Sequence, residues 1–163
     1  MKITKYNQIH MVYEQGPGNG DKYSLTCREK ARPEFYEALT AMAEHVLDMC
    51  ELPESYLDRI QVRGVSYSYG GDNDTMGAVI SASMDLEKSY QALNLVTPHK
   101  ASAMYCPDTP DDEMQLLTGD CIDALEALMA ECERYIQGDR AQGKLFAEEQ
   151  LQDQETKEPA QLN

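Results

Sequence analysis

The chain has 163 residues and carries 29 acidic against 14 basic side chains, so its formal charge at pH 7 is −15. A chain of this length forms one domain of ordinary size, and its charge disfavours direct binding to nucleic acid or to an anionic membrane. No stretch approaches the run of about 20 apolar residues that a membrane span needs, and the first ten residues lack the apolar segment of a signal peptide. We therefore expect a cytoplasmic protein.

The first half of the chain predicts a hairpin followed by a helix. Ile3–Tyr13 and Lys22–Arg28 alternate apolar with polar residues, and the Gly- and Pro-rich residues 16–22 between them are typical of a turn. Pro33–Leu52 then repeats apolar residues every three or four positions, with acidic residues on the opposite side, which predicts an amphipathic helix. Pro33 suits its first turn, and Pro53 is expected to end it.

The second half predicts the same plan. In Ile60–Tyr69, Val65, Tyr67 and Tyr69 alternate against Ile60 and Val62, and residues 76–86 form the most regular period-two pattern in the chain. Residues 88–110 indicate an irregular connection. Asp111–Gln137 is then predicted to be a long helix that Gly138 ends.

These elements predict an α+β fold in the order ββαββα. We expect an antiparallel sheet of about four strands with both helices packed on one face. Residues 1–147 form this single domain, and the Gln-rich, acidic residues 148–163 are expected to be a disordered tail.

The sequence contains no recognisable catalytic constellation, so we expect no enzyme and no cofactor. None of the three histidines, His10, His45 and His99, lies in a motif with a Ser or Cys nucleophile. The five cysteines include no C-x-x-C pair and indicate reduced thiols rather than disulfides or a zinc site. Asp72 and Asp74 resemble the opening of a calcium loop, but the position of its bidentate Glu holds Ser83. Turn chemistry explains the two carboxylates without a metal.

The negative charge is concentrated in the second half. Residues 71–163 carry 19 acidic and 6 basic residues, and no base lies between Asp108 and Glu133. The acidic face of the helix predicted at Asp111–Gln137 has two interpretations. Either it is simply solvated, or its row of carboxylates imitates DNA phosphates and enters a basic groove of another protein. On the second hypothesis the partner-binding residues are six acids of this region and Arg140. The acids are Asp112, Glu113, Asp120, Asp123, Glu126 and Glu131.

Arg140 itself has two interpretations. It follows the predicted helix directly, so it can neutralise the carbonyl groups at the helix C-terminus. Alternatively, residues 138–146 form an Arg-containing docking motif. The first interpretation is favoured because helix C-termini commonly recruit cations.

Three segments carry a resemblance: residues 50–71, residues 93–102 and above all YIQGDRAQGKLF at 135–146. Together they resemble a family of small proteins encoded in the early or recombination regions of phages and prophages of Firmicutes, over roughly residues 3–147. The resemblance implies a phage-encoded accessory protein in the cytoplasm of the host cell, and it implies no catalytic residues.

Three functions follow as hypotheses, and the weakest is a metal-dependent enzyme acting through Asp72 and Asp74, since no base, nucleophile or complete ligand set accompanies these carboxylates. The first is a non-enzymatic, anti-CRISPR-like protein that binds and inhibits a basic host protein, such as a defence nuclease or another DNA-binding protein, through DNA mimicry. The alternative is an accessory factor of phage DNA replication or recombination that binds single-stranded DNA or a recombinase through Lys5, Lys22, Arg28 and exposed tyrosines. Tyr67 and Tyr69, on one face of the sheet, either pair across a homodimer or lie under a helix.

Overall fold

The computed structural model describes residues 2–3, 8–15, 20–71, 73–104 and 115–141. Within these residues the chain forms two long α-helices, one 3-10 helix (Glu54–Arg59) and seven strands of an antiparallel sheet, which confirms the predicted α+β class. The sheet has three more strands than the four expected. No helix in these ranges is long and apolar enough to cross a membrane. The other elements are β1 (Lys2–Ile3), β2 (Ile9–Gln15), β3 (Asp21–Cys27), α1 (Pro33–Met49), β4 (Ile60–Gly70), β5 (Thr75–Met84), β6 (Leu93–Val96), β7 (Lys100–Ala101) and α2 (Gly119–Ile136).

The spatial order of the strands is β3-β2-β1-β4-β5-β6, and β7 also pairs with β5. β2 and β3 form the predicted hairpin, with Ile9 opposite Cys27 and Gln15 opposite Asp21. The prediction of one strand from Ile3 to Tyr13 is wrong, because β1 runs antiparallel to β2 and pairs with it through Ile3 and Ile9. β1 also pairs with Gly64 of β4, so it joins the first hairpin to the rest of the sheet.

A β-bulge in β4 changes which side chains face the helices. The register with β5 shifts between Val62 and Gly64, and the extra residue re-phases the alternation of side chains. Ile60 and Val62 therefore lie on the same face as Val65, instead of on the opposite face as the alternation predicted. All three are buried.

The long connection after β5 is more ordered than expected. β6 pairs with β5 from Ser81↔Val96 to Met84↔Leu93, and β7 pairs with it through Gly77 and Ala78. The prediction that residues 88–110 are irregular is therefore wrong for Leu93–Val96 and Lys100–Ala101. Neither shows a clear alternation, because four residues and two residues are too few to display a period.

α2 begins later than predicted. Leu117 donates its backbone N–H to the carbonyl of Ala101 over 2.9 Å, which fixes these residues beside β7 in extended structure. Thr118 then caps the helix, because its hydroxyl oxygen accepts the backbone N–H of Cys121 at 3.3 Å. The helix therefore starts at Gly119 and not at Asp111.

The predicted helix Pro33–Leu52 is confirmed for α1, which ends at Met49, before Pro53 is reached. Both long helices end in a Schellman arrangement. After α1, Leu52 N–H donates to Leu47 O at 2.9 Å and Glu51 adopts a φ of 54°. After α2, Asp139 N–H donates to Arg134 O at 3.0 Å and Gly138 has a φ of 99°. Gly138 is thus the helix stop that the sequence predicted.

Both helices pack on the face of the sheet that carries Ile60, Val62 and Val65, and they form one apolar core with it. α1 lies against β4, β5 and α2. The ring of Phe35 lies 6.1 Å from that of Tyr135, so α1 and α2 also meet at their buried sides. The largest fully buried side chains are Tyr135, Phe35, Ile9, Met42, Ile80, Leu125, Leu128, Val46 and Val65.

Candidate functional site

The outer faces of the two helices form an acidic surface, which we call the acidic helix layer. α1 contains four acidic residues and no Lys or Arg, and α2 contains five acidic residues and one base, Arg134. Because both helices bury their apolar sides in the same core, their charged sides face solvent together. The exposed carboxylates of the layer are Glu34, Glu37, Glu44, Asp48, Asp120, Asp123 and Glu126, whereas the exposed Glu133 lies on the side of α2 next to β4.

The structure places the predicted partner-binding acids unevenly. Asp120, Asp123 and Glu126 are exposed on α2. The side chain of Glu131 is only 14% exposed and lies 3.4 Å from Arg134. Asp112 and Glu113 lie outside the described residues, as does the predicted tail 148–163. Among the described acids of the predicted set, the exposed triplet is therefore the part most accessible to a partner.

Arg140 is fixed by several contacts at the end of α2. Its Nη1 donates to the carbonyl of Tyr135 and, over 3.3 Å, to that of Asp139. The guanidinium also stacks 3.6 Å from the centre of the Tyr135 ring, and its Nε lies 3.3 Å from a Glu29 carboxylate oxygen. These contacts agree with the helix-terminus interpretation, whereas docking through Arg140 stays a prediction.

Arg32 is a second cation near the end of α2. Arg32 donates to Glu34 at 2.8 Å and to Asp139 at 2.9 Å, and therefore connects the start of α1 to the end of α2. The hydroxyl of Tyr135 donates to the backbone carbonyl of Glu29 at 2.6 Å. The relative placement of the two acidic helices thus depends on side chains that their own hydrophobic pattern does not reveal.

A cavity of about 820 Å³ opens between β2, β4 and the second half of α2. Five consecutive residues of β2, Met11–Gln15, and three of β4, Tyr67–Tyr69, line it. Met129, Cys132 and Ile136 of α2 contribute an apolar wall, and Glu133 lies beside them. We refer to this cavity as the strand slot.

Two tyrosines connect the strand slot to α2. The hydroxyl of Tyr67 donates to the carbonyl of Leu125 at 2.9 Å, and that of Tyr69 contacts the sulfur of Met129 at 3.4 Å. Partial desolvation of the ring, and then the carboxylates of Glu133 and Glu126, raise the pKa of Tyr69 above its ordinary value. The electrostatic potential around this exposed ring is therefore negative.

Ser68 and His99 form a contact that the sequence did not indicate. Ser68 Oγ and His99 Nε2 lie 2.9 Å apart, and both pack over Gly77, where an added Cβ would lie 2.5 Å from Nε2. Gly77 is therefore needed for close packing of the imidazole. A serine in the middle of a strand, beside a histidine that fills space left by a glycine, is explained by packing alone.

Asp74, one of the two residues suggested for a metal, lies in the turn between β4 and β5. Asp74 has a φ of 49°, a conformation that Asp tolerates in turns, while Asp72 lies outside the described residues. Among the residues that the structure describes, no group of three or more His, Cys, Asp or Glu side chains could hold a metal ion.

The four described cysteines differ in ionisation. The hydroxyl of Tyr135 and the backbone N–H of Glu29 hold the pKa of the Cys27 thiol below its ordinary value. Burial raises the pKa of Cys50, and it raises the pKa of Cys121 and of Cys132 to about 11. Cys27 is thus the most nucleophilic of these thiols at neutral pH.

Sequence reasoning missed α1 as part of the acidic surface and missed the strand slot. The acidic positions of α1 carry a signal for the first, but an acidic helix side alone is typical of a solvated face. The second had no local signal, because it depends on where β1 lies between two strands that are distant in sequence. Comparisons with protein-family models, with curated proteins and with solved structures found no match for the chain.

Proposed function

We propose that the chain is a non-enzymatic binding protein whose acidic helix layer contacts a cationic surface of another protein. The observation that carries this proposal is the pairing of two neighbouring helices whose nine acidic residues are accompanied by a single base, Arg134. The negative charge of the acidic helix layer complements the Lys- and Arg-rich groove in which a nuclease or DNA-binding protein holds phosphates.

The carboxylates of α2 are suited to imitating a strand of DNA. Asp120, Asp123 and Glu126 are exposed at successive turns of one helix, so they repeat negative charge along a rigid axis. The resemblance of residues 135–146 to phage early-region proteins guides the choice of partner: a nucleic-acid-handling or defence protein of the host, met in the host cytoplasm. Binding would then inhibit that protein by occupying the site of its nucleic acid.

A competition experiment tests this function. The tagged chain is used to capture partners from a bacterial lysate at low salt, and a labelled duplex DNA is then bound to the purified partner. We expect the chain to displace the duplex, with an affinity that falls steeply as salt rises, because charge complementarity is screened. A partner that holds chain and duplex simultaneously, or an affinity that salt leaves unchanged, would exclude mimicry.

A second candidate is a single-strand-binding accessory factor, and one observation favours it. Tyr13 and Tyr23 stack at 5.6 Å across the β2–β3 hairpin, where bases could also stack. Lys22 is already 3.3 Å from Glu14, however, and the field around Tyr69 is negative. Fluorescence anisotropy with a labelled oligo-dT decides: binding at low salt that Tyr23→Ala and Lys22→Ala weaken would favour this candidate over the first.

A further inference from the structure

Two strands of the sheet face each other across a gap that β1 fills only in part. β1 is antiparallel to both β2 and β4, and its described pairs reach Ile9 and His10 on one side and Gly64 on the other. Beyond these pairs, no described strand lies on the facing edges of residues 12–15 and 67–70, which pair outward with β3 and β5. Among the described residues, each of these segments therefore presents one edge to the gap.

The strand slot coincides with this gap. Successive side chains of a strand point to opposite faces of the sheet, so a cavity on either face would touch every second residue. The slot instead touches Met11–Gln15 without a break, and Tyr67–Tyr69 likewise. It therefore lies in the plane of the sheet, between the backbones of β2 and β4.

We propose that the strand slot binds an extended, basic segment of the partner protein as an additional strand between β2 and β4. Strands in a sheet lie about 4.8 Å apart, so the two edges that flank a one-strand gap can both hydrogen-bond to a single inserted backbone. The inserted strand continues the line of β1. This inference rests on the proposed function, since it identifies which part of a cationic partner is held.

The surroundings of the slot indicate the composition of that segment. Met129, Cys132 and Ile136 form an apolar wall, which suits every second side chain of the inserted strand. Glu133 lines the slot and Glu126 acts on the neighbouring Tyr69, whereas Lys22 is neutralised by Glu14 at 3.3 Å. The N-terminal ammonium group acts on Cys132 of this wall, so one cation faces the two carboxylates of Glu126 and Glu133 and the net charge at the slot is negative. Lys or Arg therefore suits the remaining positions, where Tyr69 adds an aromatic face for a cation.

The chain's own C-terminal residues fit this slot poorly. Residues 148–163 contain five acidic residues and one Lys, so they carry the same sign of charge as Glu126 and Glu133. Like charges this close disfavour docking. The cationic segment of another protein is therefore the occupant that the electrostatics favour.

The test uses the full-length, isotope-labelled chain and three peptides. The probe is acetyl-VKVKVKV-amide, and the two controls are the same peptide with Glu in place of Lys and the same peptide N-methylated at alternate residues. We expect the Lys peptide alone to bind and to slow hydrogen exchange of edge amides in residues 12–15 and 67–70 by about tenfold. Ile136→Arg should abolish this protection, whereas Ala127→Arg, which adds the same charge on the exposed side of α2, should leave it.

Three outcomes would overturn the inference. The first is binding of the Lys peptide that shifts resonances of α1 and α2 without protecting these amides, which would leave the acidic helix layer as the contact surface and remove the slot. The second is equal binding of the N-methylated peptide, because strand insertion needs its N–H groups. The third is slow exchange of the same amides in the free chain, which would mean that the chain itself or a second copy fills the slot.

Discussion

The hydroxyl of Tyr67 donates a hydrogen bond to the backbone carbonyl of Leu125 over 2.9 Å. This bond joins the middle of β4 to the middle of α2, and it holds the helix at the side of the strand slot. Burial raises the pKa of Tyr67 well above its ordinary value, so the phenol remains a donor throughout the physiological range.

Tyr67→Phe should lower the free energy of unfolding by about 1 kcal/mol, the usual net contribution of such a bond. The cost stays small because the Leu125 carbonyl, in the interior of a helix, still accepts its helical bond. Urea unfolding measures the change. Tyr69→Phe is the matched control, because Tyr69 is 57% exposed. If Tyr69→Phe lowered the free energy of unfolding as much as Tyr67→Phe does, the bond to Leu125 would not account for the effect of Tyr67→Phe.

The two helix ends predict substitution effects of opposite sign. Glu51 has a φ of 54° and Gly138 a φ of 99°, and both occupy the position after the helix at which glycine is preferred. Glu51→Gly should raise the stability and Gly138→Ala should lower it, each by about 1 kcal/mol. Nothing lies within 4 Å of a Cβ added at Gly138, so backbone conformation alone determines that cost. Thermal unfolding that moves in the same direction for both variants would contradict this account.

The four described cysteines should react with iodoacetamide in a defined order. Cys27 has a lowered pKa and should be labelled first, Cys50 more slowly, and the buried Cys121 and Cys132 last. Peptide mass spectrometry over a time course measures the order. If Cys27 reacted no faster than Cys50 in the native chain, its environment would be misassigned.

Alkaline pH should destabilise the fold. Burial raises the pKa of Cys121 and Cys132 from the ordinary 9.0 to about 11. At a pH between these two values, the two thiols are ionised in the unfolded state and still protonated in the folded state. The stabilising contribution is therefore complete below pH 9 and is lost as the pH rises through about 11. Urea midpoints at pH 8 and pH 11 measure the fall, which should be shallower in Cys132→Ala. A midpoint that stays constant over this range would contradict the assignment.

The sequence pattern predicted the elements whose own residues determine them. The helix stripe of α1 from Phe35 to Met49 and the alternation of β5 are periodicities long enough to recognise, and Gly138 marks a helix end by its own chemistry. These features are local. The α+β class followed from them because apolar stripes on two helices and one face of a sheet have to be buried together.

The features that failed depend on contacts between distant parts of the chain. The bulge beside Arg63 is fixed by pairing with β5, and the start of α2 is fixed by the bond from Leu117 to Ala101. The strand slot similarly requires β1 to lie between β2 and β4. A period read along one segment contains none of this information.

The most direct test of the acidic helix layer compares variants of equal charge. Asp120→Asn/Asp123→Asn/Glu126→Gln neutralises three exposed acids on α2, and Glu54→Gln/Asp58→Asn/Asp74→Asn neutralises three exposed acids elsewhere. The dissociation constant of each folded variant for the captured partner is measured at the same salt concentration. We expect the α2 variant to bind about tenfold more weakly, with little change in the second variant. Equal affinities for the two variants would contradict the claim that α2 is the contact surface.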